Sequence, residues 1–142
     1  MIDQLTVCLP AEPGRLAKMC RVLGEEGVQI HALMVADNLD FAIVRLIVDR
    51  PQATAVMLSE LGYDASTSKV VAIRVDNVPG GLAQLLDKLH SSDLAVAYAY
   101  SCSIDDGTVD IVRVQGEPME LKLQDAGLRL LEAKDLYVVD AD

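Results

Sequence analysis

Apolar residues alternate with polar ones in some stretches of this chain and recur every three or four positions in others. The switches between the two periods mark its elements. Asp3-Gln4-Leu5-Thr6-Val7-Cys8-Leu9 alternates and reads as a strand, and Pro10 to Pro13 is a turn. Leu16, Met19, Cys20 and Leu23 then share one face of a helix that ends near Gly27. Val28 to Ala36 reads as a second strand, Asp37-Asn38-Leu39-Asp40 as a turn and Phe41 to Asp49 as a third strand. Pro51 opens a second helix carrying Ala55, Val56, Leu58 and Leu61, which stops at Gly62. Tyr63 to Ser68 is a weak fourth strand. The order is β-α-β-β-α-β.

The pattern then repeats. Pro79 lies 66 positions after Pro13, and at that offset Leu16 meets Leu82, Ala17 meets Ala83 and Leu23 meets Leu89. Beyond a hairpin two residues longer, Ile43-Val44-Arg45 meets Ile111-Val112-Arg113 at an offset of 68. Asp105-Asp106-Gly107 is a turn signal, and a short helix runs from near Pro118 to Gln124 and stops at Gly127. Leu128 to Leu131 and Leu136 to Val139 are β-type, the last expected to add to a sheet edge within the chain or in a partner. Two α+β units follow, residues 1–68 and 69–142. Ser66-Thr67-Ser68-Lys69 is too short a polar run to separate them, and units of about 65 residues are marginal alone, so one fused body is expected.

The second repeat opens with Asn77-Val78-Pro79-Gly80-Gly81-Leu82, a strand-to-helix turn between Val70–Val75 and the helical series Leu82, Leu85, Leu86, Leu89. Pro suits the first turn of a helix. Gly permits positive φ and close approach of another molecule. The free N–H groups of such a turn form an anion receptor, while Asn77 could instead cap the helix. Glu12-Pro13-Gly14-Arg15-Leu16 is a weaker copy in which Glu12 disfavours an anion and Arg15 favours one.

Composition narrows the partners. The 142 residues include 22 acidic and 12 basic ones, a formal net charge of −10, which argues against nucleic acid and anionic membrane. Hydrophobic residues reach 51% but aromatics only 4%, so the core is aliphatic. Cys8, Cys20 and Cys102 are scattered and odd in number, as in a reducing compartment. With no signal-peptide pattern at Met1-Ile2-Asp3-Gln4 and no membrane-length apolar run, the expected location is the cytoplasm. Asp37, Asn38 and Asp40 resemble a calcium-loop opening without its remaining ligands and read as a hairpin turn. His31 and His90 stand far apart, and Cys8 and Cys102 have no basic neighbour in sequence. Neither a catalytic set, a metal site nor a cofactor is expected. Arg45 and Arg113 recur at matching strand positions, and Met34 reads as packing.

A β-α-β-β-α-β unit of this length with Pro-Gly at its first strand-to-helix turn resembles the ACT domain, and the whole chain resembles a stand-alone tandem ACT-domain protein. Asn77-Val78-Pro79-Gly80 followed by Leu82 is similar to the family's Asn-x-Pro-Gly-x-Leu loop, and Gly27-Val28-Gln29-Ile30 to its Gly-Val-Asn-Ile, with Gln for Asn. The resemblance implies two ferredoxin-like units with antiparallel sheets packed side by side. It implies a regulatory protein that binds a small molecule, an amino acid, at the interface between two domains. Asn77, Val78, Pro79, Gly80, Gly81 and Leu82 would contact the ligand, with Gln29 from the other copy. A weaker second site would comprise Ala11, Glu12, Pro13, Gly14, Arg15 and Leu16, where Ala11 and Ala95 replace the two polar side chains. The His that some members carry two residues before the loop Asn is Val75 here, which leaves serine unsupported as the ligand. A homodimer and a regulated enzyme are the expected partners. The alternative is an assembly module without a ligand, or the small regulatory subunit of an amino-acid biosynthetic enzyme.

Overall fold

The computed structural model describes residues 1–105, 107–117 and 119–141, so Asp106 of the hairpin turn, Pro118 of the last helix and Asp142 lie outside it. The elements are β1 (Ile2–Pro10), α1 (Arg15–Glu25), β2 (Ile30–Asp37), β3 (Phe41–Val48), α2 (Pro51–Glu60), β4 (Asp64–Val75), α3 (Gly81–Ser91), β5 (Ala95–Ile104), β6 (Gly107–Gln115) and α4 (Met119–Asp125). The expected α+β class holds, and the element order holds through α4. The strands differ from expectation in three places, of which the first is that the fourth strand of the first repeat and the first strand of the second are a single element, the 12-residue β4. The polar run Ser66–Lys69 lies inside it; strand backbone bonds do not require apolar side chains, and Thr is a good strand former.

Contacts divide the chain into a first unit, Asp3–Lys69 with the tail from Ala133, and a second unit, Val70–Glu132 with Met1 and Ile2. The tail departs from the expected 69–142 span because its hydrogen bonds go to the first unit. In that unit the strands lie in the order β2-β3-β1-β4, the sheet of a βαββαβ unit. Register pairs Leu5 with Leu46 and Val7 with Val44. These residues, with Leu9 and Val48, bury one sheet face against Met19 and Leu23 of α1 and Ala55 and Leu58 of α2. The face of α2 differs from expectation. Pro51, Thr54, Ala55 and Leu58 are buried, while Val56 and Leu61 are 59% and 57% exposed. The period of 3.6 selects the face, and the smaller residues occupy it.

In the second unit β4, β6 and β5 lie in that order, with Val71 paired to Val112. Val71, Ile73, Val112 and Val114 pack under Leu85 and Leu89 of α3 and Leu123 of α4. Leu82 and Leu86, expected on the apolar face, stay 50% and 37% exposed. The expected strand at Leu128–Leu131 is reduced to a bridge between Leu130 and Ile73, flanked by Arg74 N–H to Arg129 O (2.9 Å) and Leu131 N–H to Ala72 O (2.9 Å).

The duplication reaches fine detail. Register shifts fall between Ile30 and Ala32 in β2 and between Val96 and Tyr98 in β5, 66 positions on. Helix α1 is followed by Gly27 at φ 71, and the matching Asp93 after α3 has φ 57. Both turns close with the same bond, Val28 N–H to Leu23 O and Leu94 N–H to Leu89 O, each 2.9 Å.

The expected edge strand Leu136–Val139 is not a strand. A short 3₁₀ turn, Ala133–Asp135, precedes it, and its polar groups are taken by the first unit. Tyr137 Oη accepts the Asp3 N–H at 3.0 Å. Val138 donates its N–H to Asp49 Oδ1 (2.9 Å) and accepts the Arg50 N–H (2.6 Å). The Asp140 carboxylate accepts the N–H groups of Gln52 (3.0 Å) and Ala53 (2.9 Å), and so caps α2, whose own N-cap residue, Arg50, makes no side-chain cap bond. His31, at the β2 bulge, places Nε2 2.8 Å from Asp49 Oδ1.

Two outcomes are expected. Aspartate in the left-handed region costs about 1–2 kcal/mol, of which glycine's extra chain entropy returns roughly half. Asp93→Gly therefore raises stability by about 0.5–1 kcal/mol, visible as a higher midpoint in urea; a lower midpoint contradicts this account. Burial alone would raise the Asp49 carboxyl pKa, but His31 and the Val138 N–H outweigh it and hold the group below its ordinary value. A depressed carboxyl contributes stability above its unfolded pKa of about 3.9, and that contribution disappears as pH falls through the lower folded value. Melting curves from pH 6 to 3 should therefore fall more steeply for the wild type than for Asp49→Asn; parallel curves would mean that Asp49 carries no such linkage.

Candidate functional site

The two strand-to-helix turns are built alike. After β4, Val78 N–H bonds Asp76 O (2.9 Å), Gly81 N–H bonds Val78 O (3.0 Å) and Gln84 N–H bonds Gly80 O (3.1 Å). Shifted by 66, the same bonds follow β1: Glu12 N–H to Pro10 O (2.8 Å), Arg15 N–H to Glu12 O (3.4 Å) and Lys18 N–H to Gly14 O (3.0 Å). Each turn ends on a left-handed glycine that is the N-cap, Gly80 at φ 86, ψ −7 and Gly14 at φ 83, ψ −4. Only glycine takes that conformation without strain. Pro79 therefore stands before the N-cap, not in the first helical turn, and fixes φ of the turn instead.

Neither helix has a side-chain N-cap bond. Asn77 is thus not a cap: it is exposed, three residues before the N-cap. Among the described residues the N–H groups of Gly80, Leu82 and Ala83 find no backbone acceptor, the donors that a helix start leaves open.

The side chains differ between the turns. In the first, Arg15 Nε lies 2.9 Å from Glu12 Oε2, so the charges that pull an anion in opposite directions neutralise each other. Their counterparts in the second are Val78, 59% exposed, and buried Gly81. A Cβ on Gly81 would stand 2.2 Å from Asp76 O, whereas Arg15 occupies the matching position freely. Leu16 packs on the core, while Leu82 is 50% exposed. Ala11 donates its N–H to Asp40 O at 3.2 Å.

The structure thus brings residues 77–82 into one turn of the second unit and residues 11–16 into one turn of the first. Gln29 is exposed, precedes β2 and donates from Nε2 to Ile30 O at 3.2 Å. Ala95 opens β5 opposite Gln115. Asn38 Oδ1 accepts the Asp40 N–H at 3.0 Å and closes the β2–β3 hairpin. Burial pushes the thiols of Cys20 and Cys102 up, Cys102 further because of Asp110, so both stay protonated at neutral pH. Missed from sequence was the Arg129–Asp76 pair beside the second turn, Nη2 to Oδ1 at 3.0 Å, which joins residues 53 positions apart and leaves no local signal.

Gly81→Ala should cost about 1–3 kcal/mol, because the methyl must displace the Asp76 carbonyl or the start of α3, while Gly14→Ala pays only the left-handed penalty. Chemical denaturation of both variants checks this; an unchanged Gly81→Ala midpoint would show that the turn yields.

A family model described as an ACT domain pair matches residues 1–138. Protein BT0572 from Bacteroides thetaiotaomicron is similar in structure, with 32% identity, a TM-score of 0.86, and coverage of 95% of this chain and 94% of that one. The ligand-free regulatory subunit of aspartate kinase from Thermus thermophilus shares the fold at 16% identity and TM-score 0.61, over 88% of this chain and 92% of that one. The corresponding Thermus flavus subunit has 16% identity and TM-score 0.53, over 87% and 89%. No curated protein matches in sequence. With the family match spanning nearly the whole chain and the same turn, bulge and helix end found in both repeats, this protein belongs to the ACT domain pair family.

Proposed function

We propose that this chain is a non-catalytic regulatory protein that senses a small ligand, an α-amino acid, through the Asn77–Leu82 turn. The observation that carries the reading is the contrast between the two turns. Both present the same backbone, but the first is crossed by the Glu12–Arg15 pair, while in the second the Gly80, Leu82 and Ala83 N–H groups find no backbone acceptor among the described residues and Asp76 is paired with Arg129 outside the turn. A ligand carboxylate on these donors gains the helix-terminus field. Asn77, exposed and uninvolved in capping, supplies an amide oxygen for the ammonium, and Gln29 is the second proposed polar contact. An unmatched polar group costs about 1–3 kcal/mol, which would favour α-amino acids over plain carboxylates.

Family membership supports the regulatory role, since ACT domains regulate enzymes and transcription factors, and two proteins of like fold are regulatory subunits of aspartate kinase. A regulated enzyme and a second copy of the chain are the proposed partners; in the first unit β2, and in the second β5, ends the strand order among the described residues, an edge that a partner would cover. The three free cysteines fit a reducing, cytoplasmic setting.

Calorimetric titration against the twenty amino acids is expected to show at least one binder below about 1 mM, a free energy near 4 kcal/mol. Asn77→Ala should weaken that binding about tenfold while moving stability by no more than about 0.5 kcal/mol. Absence of any millimolar binder would leave the assembly-module alternative in its place.

A further inference from the structure

The repeat preserves a second feature beside the two turns, built from side chains and not from the open amides. In the first unit a hollow lies between α1 and the turn into β4, lined by Arg15, Lys18, Val22, Leu61, Gly62 and Tyr63. Adding 66 to these positions gives 81, 84, 88, 127, 128 and 129. In the second unit a hollow is lined by Gly81, Gln84, Lys88, Leu128 and Arg129 together with the end of β4. Five of the six positions recur, so the hollow belongs to the fold of each copy.

The cations in it stand at different positions in the two units. The first hollow holds Arg15 and Lys18; the second holds Lys88 and Arg129, with Arg74 and Asp76 of the strand end and turn also in its lining. Position by position the residues do not match, since Arg15 faces Gly81, Lys18 faces Gln84, Val22 faces Lys88 and Tyr63 faces Arg129. In both, the arginine is held by a carboxylate, Arg15 by Glu12 at 2.9 Å and Arg129 by Asp76 at 3.0 Å. That contact leaves other guanidinium N–H groups open. In both, the lysine is exposed and has no acidic partner among the described residues. An acidic chain of net charge −10 with 22 acidic side chains leaves a lysine of each hollow without a carboxylate among the described residues.

We infer that each hollow is a site for a small oxyanion, a carboxylate or phosphate group, gripped by the lysine ammonium and the remaining N–H groups of the anchored arginine. An arginine already fixed by one carboxylate loses little freedom on binding a second anion. Lysine adds a point charge that such a ligand would neutralise. The sites do not depend on amino-acid sensing at the Asn77 turn, and they stand or fall separately from it.

The test is a pair of titrations of the full-length ¹⁵N-labelled protein, one with inorganic phosphate and one with succinate, against sodium chloride of equal ionic strength. The expected result is saturable movement of the Lys18, Gly62 and Tyr63 amides and, separately, of the Lys88, Leu128 and Arg129 amides, with Kd in the range of about 1–10 mM. Preference for one probe over the other identifies the oxyanion. Lys18→Gln should weaken the first set about tenfold and leave the second alone, and Lys88→Gln the reverse. Both lysines are exposed, so the variants keep the fold, checked by circular dichroism. The proposal is overturned if sodium chloride reproduces the shifts, if neither probe gives saturation, or if both variants keep the wild-type Kd.

Discussion

The left-handed glycine that ends each strand-to-helix turn sets the geometry on which the rest depends. It lets three short-range hydrogen bonds reverse the chain from a central strand to the helix that covers it, and it does so identically at Gly14 and Gly80. From that reversal follow the burial of Met19 and Leu23 over the first sheet and of Leu85 and Leu89 over the second. The same reversal leaves N–H groups open at the helix start. Fold and candidate site therefore share one cause, and side chains alone decide whether the open donors are available. An ion pair spans one turn; the other has none across it and a backbone packed so closely that only hydrogen fits at Gly81.

Much of this was legible in the residues, because period and repeat are local signals. The strand alternation of Leu5, Val7 and Leu9 and the helical spacing of Met19 and Leu23 are recovered in the core. The offset of 66 proves deeper than the matched residues, reaching a bulge and a helix end whose residues differ. Where the reading failed, apolarity had been given more weight than geometry. Val56 and Leu61 are apolar yet lie off the buried face of α2, which Pro51 and Thr54 share. Leu136 to Val139 has β composition, but its polar groups are taken by Asp49 and Arg50 before any strand could use them.

Long-range polar contacts left no trace in sequence. Asp140 caps a helix that begins 89 residues earlier, and Asp49 meets His31, which lies at the β2 bulge 18 residues before it. Nothing in the spacing of acids along a chain this acidic singles out Asp140 from its neighbours. The relocated cations at the two hollows are of the same kind: a position-by-position comparison of the repeats scores them as lost, although each copy retains an arginine and a lysine there.

The 12-residue strand β4 has a bearing on how the chain can be divided. It spans the boundary at Lys69 and Val70, so no separate linker segment stands between the two repeats in the chain. The first unit also takes in residues that follow the second in sequence, since the tail from Ala133 groups with it and Asp140 accepts the Ala53 N–H. A ribosome reaching Lys69 has made most of one unit but not the contacts that Tyr137, Val138 and Asp140 bring to Asp3, Asp49 and the start of α2. Until residues 137–140 have been made, the first turn of α2 stands without its cap.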